Sequence, residues 1–485
     1  MNLTPVPLLF EDSRPGRRCM VTAGADRASA VAGMPESELR GKPPALPEVG
    51  ELDLLRHFTR LSQKNYAIST NFYPLGSCTM KYNPLVNEAI AAQPCWSGLH
   101  PWQDADDVQG ALALMHGLAK DLGEATGLPG VTLHPAAGAH GELTALMVLR
   151  AWLDERGDNQ RRTVLIPDSA HGTNPASCAL AGFDVVTVKS DERGLLDADS
   201  LADKLGPDTA GLMITNPNTL GLFEEEIAEI CRMVHEAGGK VYMDGANFNA
   251  IMGWTRPGDF GVDMMHLNLH KTMSTPHGGG GPGSGPICVT EELAKYLPTP
   301  QVVERGGRFE MATPEASIGR VRGYHGNFMV LVRAYAYVKR LGGEGLKRVA
   351  ENAVLNANYL RVQVGEHWRI PYDRICMHEF VARPRKEMND QGVHTMDVAK
   401  RLIDLGYHPP TVYFPLVVHE AIMVEPTETE SKETLDGFAE AMAQVAQEAM
   451  AGDEALHAAP VTTPVSRVDE ALAVKDPQLC FRCGS

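Results

Sequence analysis

The chain predicts an α/β fold built on a mostly parallel sheet, with a smaller domain following it. Three observations carry that expectation. Short continuous apolar runs alternate with amphipathic helical stretches between Val131 and Leu267, as in parallel strands buried on both faces. Polar residues gather just past the C-terminal end of these runs, at Asp168–His171, Thr215–Asn218, Asp244–Asn247 and His270–Lys271. That is the edge where open α/β sheets bind ligands. After Asn327 the alternation gives way to long helical stretches.

The 485 residues are enough for roughly three average domains, or for fewer and larger ones. With 44% hydrophobic and 22% charged residues, the composition is that of an ordinary globular protein. Sixty-one acidic against 44 basic residues leave a net charge of −17, a field that repels nucleic acid and anionic membrane. The first ten residues carry no basic start and no long apolar run, so no signal peptide is expected, and no run is long enough to span a bilayer. Nine scattered cysteines fit a reducing cytoplasm better than a disulfide framework. The close pair Cys480 and Cys483 is half a zinc site or incidental spacing.

Residues 1–60 are rich in proline and read as an extended arm, with a helix near Leu52–Leu61. The large α/β domain is expected over 61–330 and the small α+β domain over 331–485. Tyr73–Pro84, which includes Ser77, Cys78, Thr79 and Lys81, has neither helical nor strand periodicity. It is a binding loop or an irregular solvated one.

Val131–Leu133 begins the strands. Gly138, Ala139 and His140 then open a helix running to about Glu155. Small residues at a helix start expose N–H groups to an anion, although a tight turn needs the same residues. Strands follow at 163–166, 185–188 and 212–214, and a helix is expected over 224–237. Ile227, Ile230, Cys231 and Val234 form its buried stripe. Acidic Glu224–Glu226 stand at its start and Gly238 at its end. Beyond Asn327, helices are expected over 329–341, 346–362, 395–405 and 432–450, and strands near 375–382 and 417–424.

Two strand ends carry the chemistry. Val241–Met243 ends in Asp244, with Ala246 and Asn247 beside it, and Met264–Leu267 leads to His270 and Lys271. A glycine-rich bend, Gly278–Gly283, follows. A lysine and an aspartate at neighbouring strand ends suit pyridoxal phosphate (PLP). The lysine forms the Schiff base, and the carboxylate holds the pyridinium nitrogen protonated. Taken alone, Lys271 could equally be a surface lysine before a flexible loop. Convergence of four strand-end clusters on one edge favours the cofactor.

Several strings resemble a known family: Ser13–Arg18, Gly76–Lys81, Ser169–Pro175, Asp244–Asn247, Leu267–Thr272 and Pro276–Gly283. They resemble the P-protein of the glycine cleavage system, glycine dehydrogenase (decarboxylating), in its two-subunit form. The length is that of the PLP-carrying second subunit. The resemblance spans nearly the whole chain and implies the aspartate-aminotransferase-like PLP fold (fold type I). It implies Lys271 as the Schiff-base lysine, Asp244 at the pyridinium nitrogen and His171 stacked on the ring face. It places Gly138, Ala139 and His140 at the phosphate, with His270 nearby, and counts Ala246 and Thr215 among the cofactor-binding residues. Ser77, Cys78, Thr79 and His325 fall on the substrate side. Thr215 and Asn218 also suit a purely structural Asn–Pro turn. Arg467 is either a carboxylate ligand or a solvated tail residue. The implied reaction is decarboxylation of glycine, with the aminomethyl group passing to the lipoyl arm of the H-protein. The implied assembly is α2β2 with a homologous first subunit. No metal is implied. The alternatives are another fold-type-I amino-acid decarboxylase, which would release a free amine, and a non-catalytic subunit.

Overall fold

The structure, a computed structural model, describes residues 5–19, 32–42, 44–278, 283–477 and 479. Gly279–Pro282, Cys480 and Cys483 therefore lie outside the described residues.

Seven strands form the main sheet: β1 (Gly130–Thr132), β2 (Thr163–Pro167), β3 (Asp184–Val188), β4 (Thr209–Thr215), β5 (Lys240–Gly245), β6 (Met264–Leu267) and β7 (Ile287–Val289). Their order is β1-β7-β6-β5-β4-β2-β3. The strands from β3 to β6 pair in parallel, whereas β7 runs antiparallel between β6 and β1. Alternate residues feed two cores. Leu165, Ile214, Met243 and Met265 pack with Leu118, Val234 and Leu331 on one face. Val164, Met213, Tyr242 and Met264 pack with Leu146, Leu149 and Trp152 on the other. Both faces are therefore covered, which is why the strands read as unbroken apolar runs.

The helix expected over 224–237 spans Ile227–Glu236 and buries the expected stripe. Glu224 lies outside it. Its carboxylate accepts from the Leu196 N–H and Asn218 Nδ2, both at 3.0 Å, in the buried turn after β4. Tertiary hydrogen bonds thus replace the helix-dipole role. The stretches 329–341 and 346–362 form one long element, Phe328–Gly365, broken at Gly342 (φ 60°, ψ −178°). Its first half packs on the main sheet and its second half on another core.

That second core surrounds a three-stranded antiparallel sheet of β10 (Phe380–Ala382), β11 (Thr411–Val412) and β12 (Ile422–Val424). Helices Thr395–Asp404 and Lys432–Ala451 cover it with Val398, Leu402, Phe438 and Met442. Phe72, far away in sequence, joins this core. The strands are shorter than the apolar runs 375–382 and 417–424. Met377 leaves the ladder to donate its N–H to Gly221 O (2.7 Å), and Val418 sits in a turn on Pro415.

Several elements carry no clear sequence signal. The hairpin of β8 (Gln301–Arg305) and β9 (Arg308–Ala312) is one, and the long helix Gln109–Thr126 is another. The helix Thr173–Leu180 begins inside a polar cluster with Pro175 in its first turn, where a missing N–H costs nothing. In the arm, the helix Glu51–Ser62 exposes Leu52, Leu55 and Phe58.

Candidate active site

The sheet register builds the site. Thr215 pairs with Asp244 across β4 and β5, and Asp244 with His266 across β5 and β6. These three side chains stand abreast at the C-terminal edge. A cavity of about 190 Å³ lies on them. Ser77, Gly138, Ala139, His171, Thr215, Asp244, Ala246, His270 and Lys271 all line it. Glu142, Asn247, His266 and Asn268 line it too.

Asp244 is buried and held on both oxygens. Oδ1 accepts the Ala246 N–H at 2.9 Å and lies 3.5 Å from His266 Nε2, and Oδ2 accepts from Asn174 Nδ2 at 3.2 Å. Burial pushes this carboxyl up, but His266, the Ala246 and Asn174 donors and Lys271 outweigh it and hold it below the usual carboxylate range. His266 in turn shares a hydrogen bond with the Tyr242 hydroxyl. It is the single polar residue in the apolar run Met264–Leu267, and that oddity was its sequence signal.

Lys271 Nζ donates to the Ser77 carbonyl at 2.7 Å. Ser77 and Thr79 both hold positive φ, 58° and 50°, a conformation that costs roughly 1–2 kcal/mol for a residue with a Cβ. Gly76 lies so close to Met423 that a side chain there would overlap it. Lys81 is buried on the same loop, donating to Glu428 at 2.8 Å and to the Thr272 carbonyl at 3.0 Å. Cys78 is a thiol, pushed up to about 11 by burial despite Lys271 nearby. Thr79 turns away from the cavity, with both its N–H and its hydroxyl donating to Glu425.

Opposite Lys271, the 18-residue helix Gly138–Glu155 points its N-terminus at the cavity. Its first N–H groups have no acceptor within the helix. A Cβ at Gly138 would come within 2.6 Å of Asn268 Oδ1, so backbone lines this wall. His140 faces elsewhere: its Nδ1 accepts the Ala136 N–H at 3.1 Å. His171 lies at the mouth, bonded through Nδ1 to Thr173 Oγ1 (2.9 Å) and edge-on to Phe414. Burial, with His277 and Lys271 adding to it, pushes His270 down to about 3. It is therefore neutral.

Like Cys78, Thr79 and His140, three more expected residues lie outside the cavity. His325 lines a separate cleft with Leu99, Pro101 and Phe328. Asn218 is structural: its amide donates to Gly194 O (2.9 Å) and Glu224 Oε1, and its Oδ1 accepts from Leu220 and Leu222. Arg467 pairs with Asp397, in the first turn of the helix Thr395–Asp404, at 2.7 Å.

The donor set fits PLP. An anion would meet a helix N-terminus, a ring nitrogen would meet an ionised buried aspartate, and an aldehyde would meet the lysine. The buried Thr215 hydroxyl and Asn268 Oδ1 have no partner within the protein, as polar atoms awaiting a ligand would not.

Known proteins agree with this reading. Residues 142–307 match the aminotransferase class-V family, and residues 349–462 match the family described as glycine dehydrogenase, C-terminal domain. Glycine dehydrogenase (decarboxylating) subunit 2 of Caldanaerobacter subterraneus subsp. tengcongensis is 55% identical over 97% of this chain and 97% of its own. The chain belongs to that family. The Thermotoga maritima relative of the same description is 53% identical over 98% of this chain and 99% of its own. A solved glycine decarboxylase (P-protein) of the glycine cleavage system, in inhibitor-bound form, superposes with a TM-score of 0.74 at 21% identity. The match covers 87% of this chain and 95% of that one. An Oryza sativa TDC with PLP and tryptamine gives 0.65 at 15% identity, covering 86% and 92%. Both show the fold, which is that of PLP enzymes of fold type I. This chain is accordingly a PLP-dependent subunit of a glycine dehydrogenase (decarboxylating). No helix among the described residues is long and apolar enough to cross a membrane.

Proposed function

We propose that this chain carries the reacting centre of a two-subunit P-protein. It decarboxylates glycine at Lys271 and hands the aminomethyl group to the lipoyl arm of an H-protein. It works in the cytoplasm with a homologous first subunit, as an α2β2 assembly. The observation that carries this reading is the placement of the Lys271 amine and the ionised Asp244 carboxylate on one cavity under a helix N-terminus.

When bound, PLP supplies an electron sink for the bond that breaks as CO2 leaves. The protein's residues prepare that step. Asp244 holds a proton at the pyridinium nitrogen through a charge-assisted hydrogen bond, about twice as strong as a neutral one. The N–H groups of Gly138 and Ala139, with Thr215 Oγ1, would hold the phosphate. His171, at the mouth, would cover the ring. The Ser77 carbonyl accepts from the Lys271 amine and orients it in the cavity. His270 and His277, both neutral, add no cation beside the lysine. A dry cavity favours loss of the substrate carboxylate's charge.

Lys271→Ala tests the reading. The variant should lose the visible Schiff-base absorbance and, assembled with the first subunit and lipoylated H-protein, glycine–bicarbonate exchange. Retained exchange would refute the assignment.

A further inference from the structure

Behind the Ser77–Thr79 loop lie three buried groups that the reaction above does not use. Glu379 precedes β10 and Glu425 follows β12. Those strands are antiparallel with Phe380 opposite Val424, so the next register position sets Glu379 against Glu425. Like charges directly opposite each other repel, and here neither glutamate reaches solvent. His378 is equally buried, and neither of its ring nitrogens has a partner. Its Nε2 stands 3.7 Å from Glu379 Oε1 and 4.0 Å from Glu425 Oε1. Burial, with Lys271 adding to it, pushes His378 down to about 3, so it is neutral and cannot balance the acids.

Each glutamate holds one end of the strained loop. Glu379 Oε2 accepts the Ser77 N–H at 2.7 Å, and Glu425 accepts the Thr79 N–H at 2.8 Å and the Thr79 hydroxyl at 2.6 Å. The Ser77 carbonyl between them receives Lys271. Lys81, the other cation facing the pair, already has Glu428 at 2.8 Å. Cys78 stays a neutral thiol. Lys271 is thus the one cation facing the pair, among the described residues, that makes no direct ion pair with a carboxylate. Two ionised carboxylates would overbalance it in a medium without water.

We propose that Glu379 and Glu425 act as a carboxylic acid–carboxylate pair with one proton between them, positioning the Ser77–Thr79 loop on Lys271 and supplying that amine's counter-charge. The small domain would then set the orientation of the lysine on the large domain. The pair consists of positioning residues, since neither lines the cavity. Burial raises both carboxyls above their ordinary range, and the charge of Glu425 raises Glu379 further, as a shared proton requires. The proposal rests on Lys271 being the cofactor lysine.

Glutamine mimics a protonated carboxyl, so the pair makes an unusual prediction. In the apoprotein at neutral pH, infrared difference spectra of Glu-labelled wild type should contain a buried protonated-carboxyl C=O stretch. Glu379→Gln alone and Glu425→Gln alone should each abolish it, because the remaining acid keeps the charge. Each single variant should still form the Schiff base with added PLP within about threefold of the wild-type rate. The double variant Glu379→Gln/Glu425→Gln, with a native circular dichroism spectrum, should lose the counter-charge, so the pH at which the visible band marks loss of the Schiff-base nitrogen's proton should fall by about one unit or more relative to either single variant. A merely structural pair would leave that pH unchanged.

A carboxyl band absent from wild type, or persisting in either single variant, overturns the proposal. So does a double variant whose visible band titrates at the wild-type pH. A stoichiometric divalent cation lost on either substitution also overturns it, since both acids would then be ionised. If the double variant does not fold, the single variants' infrared spectra decide. If wild type itself forms no Schiff base, the Lys271 assignment fails, while the carboxyl band still decides the pair.

Discussion

Replacing Asp244 by Asn removes one charge from the centre of the site while keeping its shape. Its Oδ1 accepts the Ala246 N–H and its Oδ2 accepts from Asn174 Nδ2. An amide offers one acceptor, so one of these donors faces an NH2 group. That mismatch costs about 1–3 kcal/mol of folded stability. The catalytic loss is larger. An anion within reach of a titrating group shifts it by about 1–3 pH units, or about 1.4–4 kcal/mol. Losing the charge assistance of the hydrogen bond removes about 1 kcal/mol more. Glycine–bicarbonate exchange by the assembled enzyme should therefore fall about 10²–10⁴-fold in kcat, with the glycine KM moving much less. The absorbance of bound PLP should persist, because Lys271 is untouched. Turnover within threefold of wild type would show that another group protonates the ring, and His266, 3.5 Å from Asp244, would be the next to test.

Lys81→Met should cost about 3–5 kcal/mol in urea unfolding, because it leaves buried Glu428 without its partner. Adding Glu428→Leu should return most of that loss, and a double variant no more stable than the single would contradict the ion-pair account. Glu224 carries a pH dependence. Burial raises its carboxyl to about 7 from 4.5, so the folded state binds the proton more tightly than the unfolded one. Stability from this group is full below about pH 4.5 and is lost as pH rises through about 7, some 3 kcal/mol in all. Glu224→Gln should flatten the stability profile between pH 5 and 8, and an unchanged slope would refute it.

Much of this was legible in the chain. The stripe Ile227, Ile230, Cys231 and Val234 set its helix, and the unbroken runs of β2, β4 and β5 announced strands covered on both faces. Lys271 and Asp244 stood out because Asp244 lies at the end of one strand and Lys271 follows the end of another, and strand ends of a parallel sheet meet at one edge. Glu224 misled because acidic residues before a helix usually serve its dipole, whereas here Asn218 and the Leu196 N–H claimed the side chain. His325 and Arg467 misled because a motif or a tail says nothing of distance. One packs toward Pro101 and the other pairs with Asp397.

The sequence by itself determined the periodic elements, the chemistry of the strand ends and the family, since all of these are written in neighbouring residues. Only the tertiary structure decided what stands behind Lys271. The Ser77 carbonyl, Glu379, Glu425 and His378 come from segments far apart in the chain, and they meet because Phe72 and β10–β12 share one core. Local spacing fixes which face a residue presents. Which distant face it meets is settled by the cooperative burial of both.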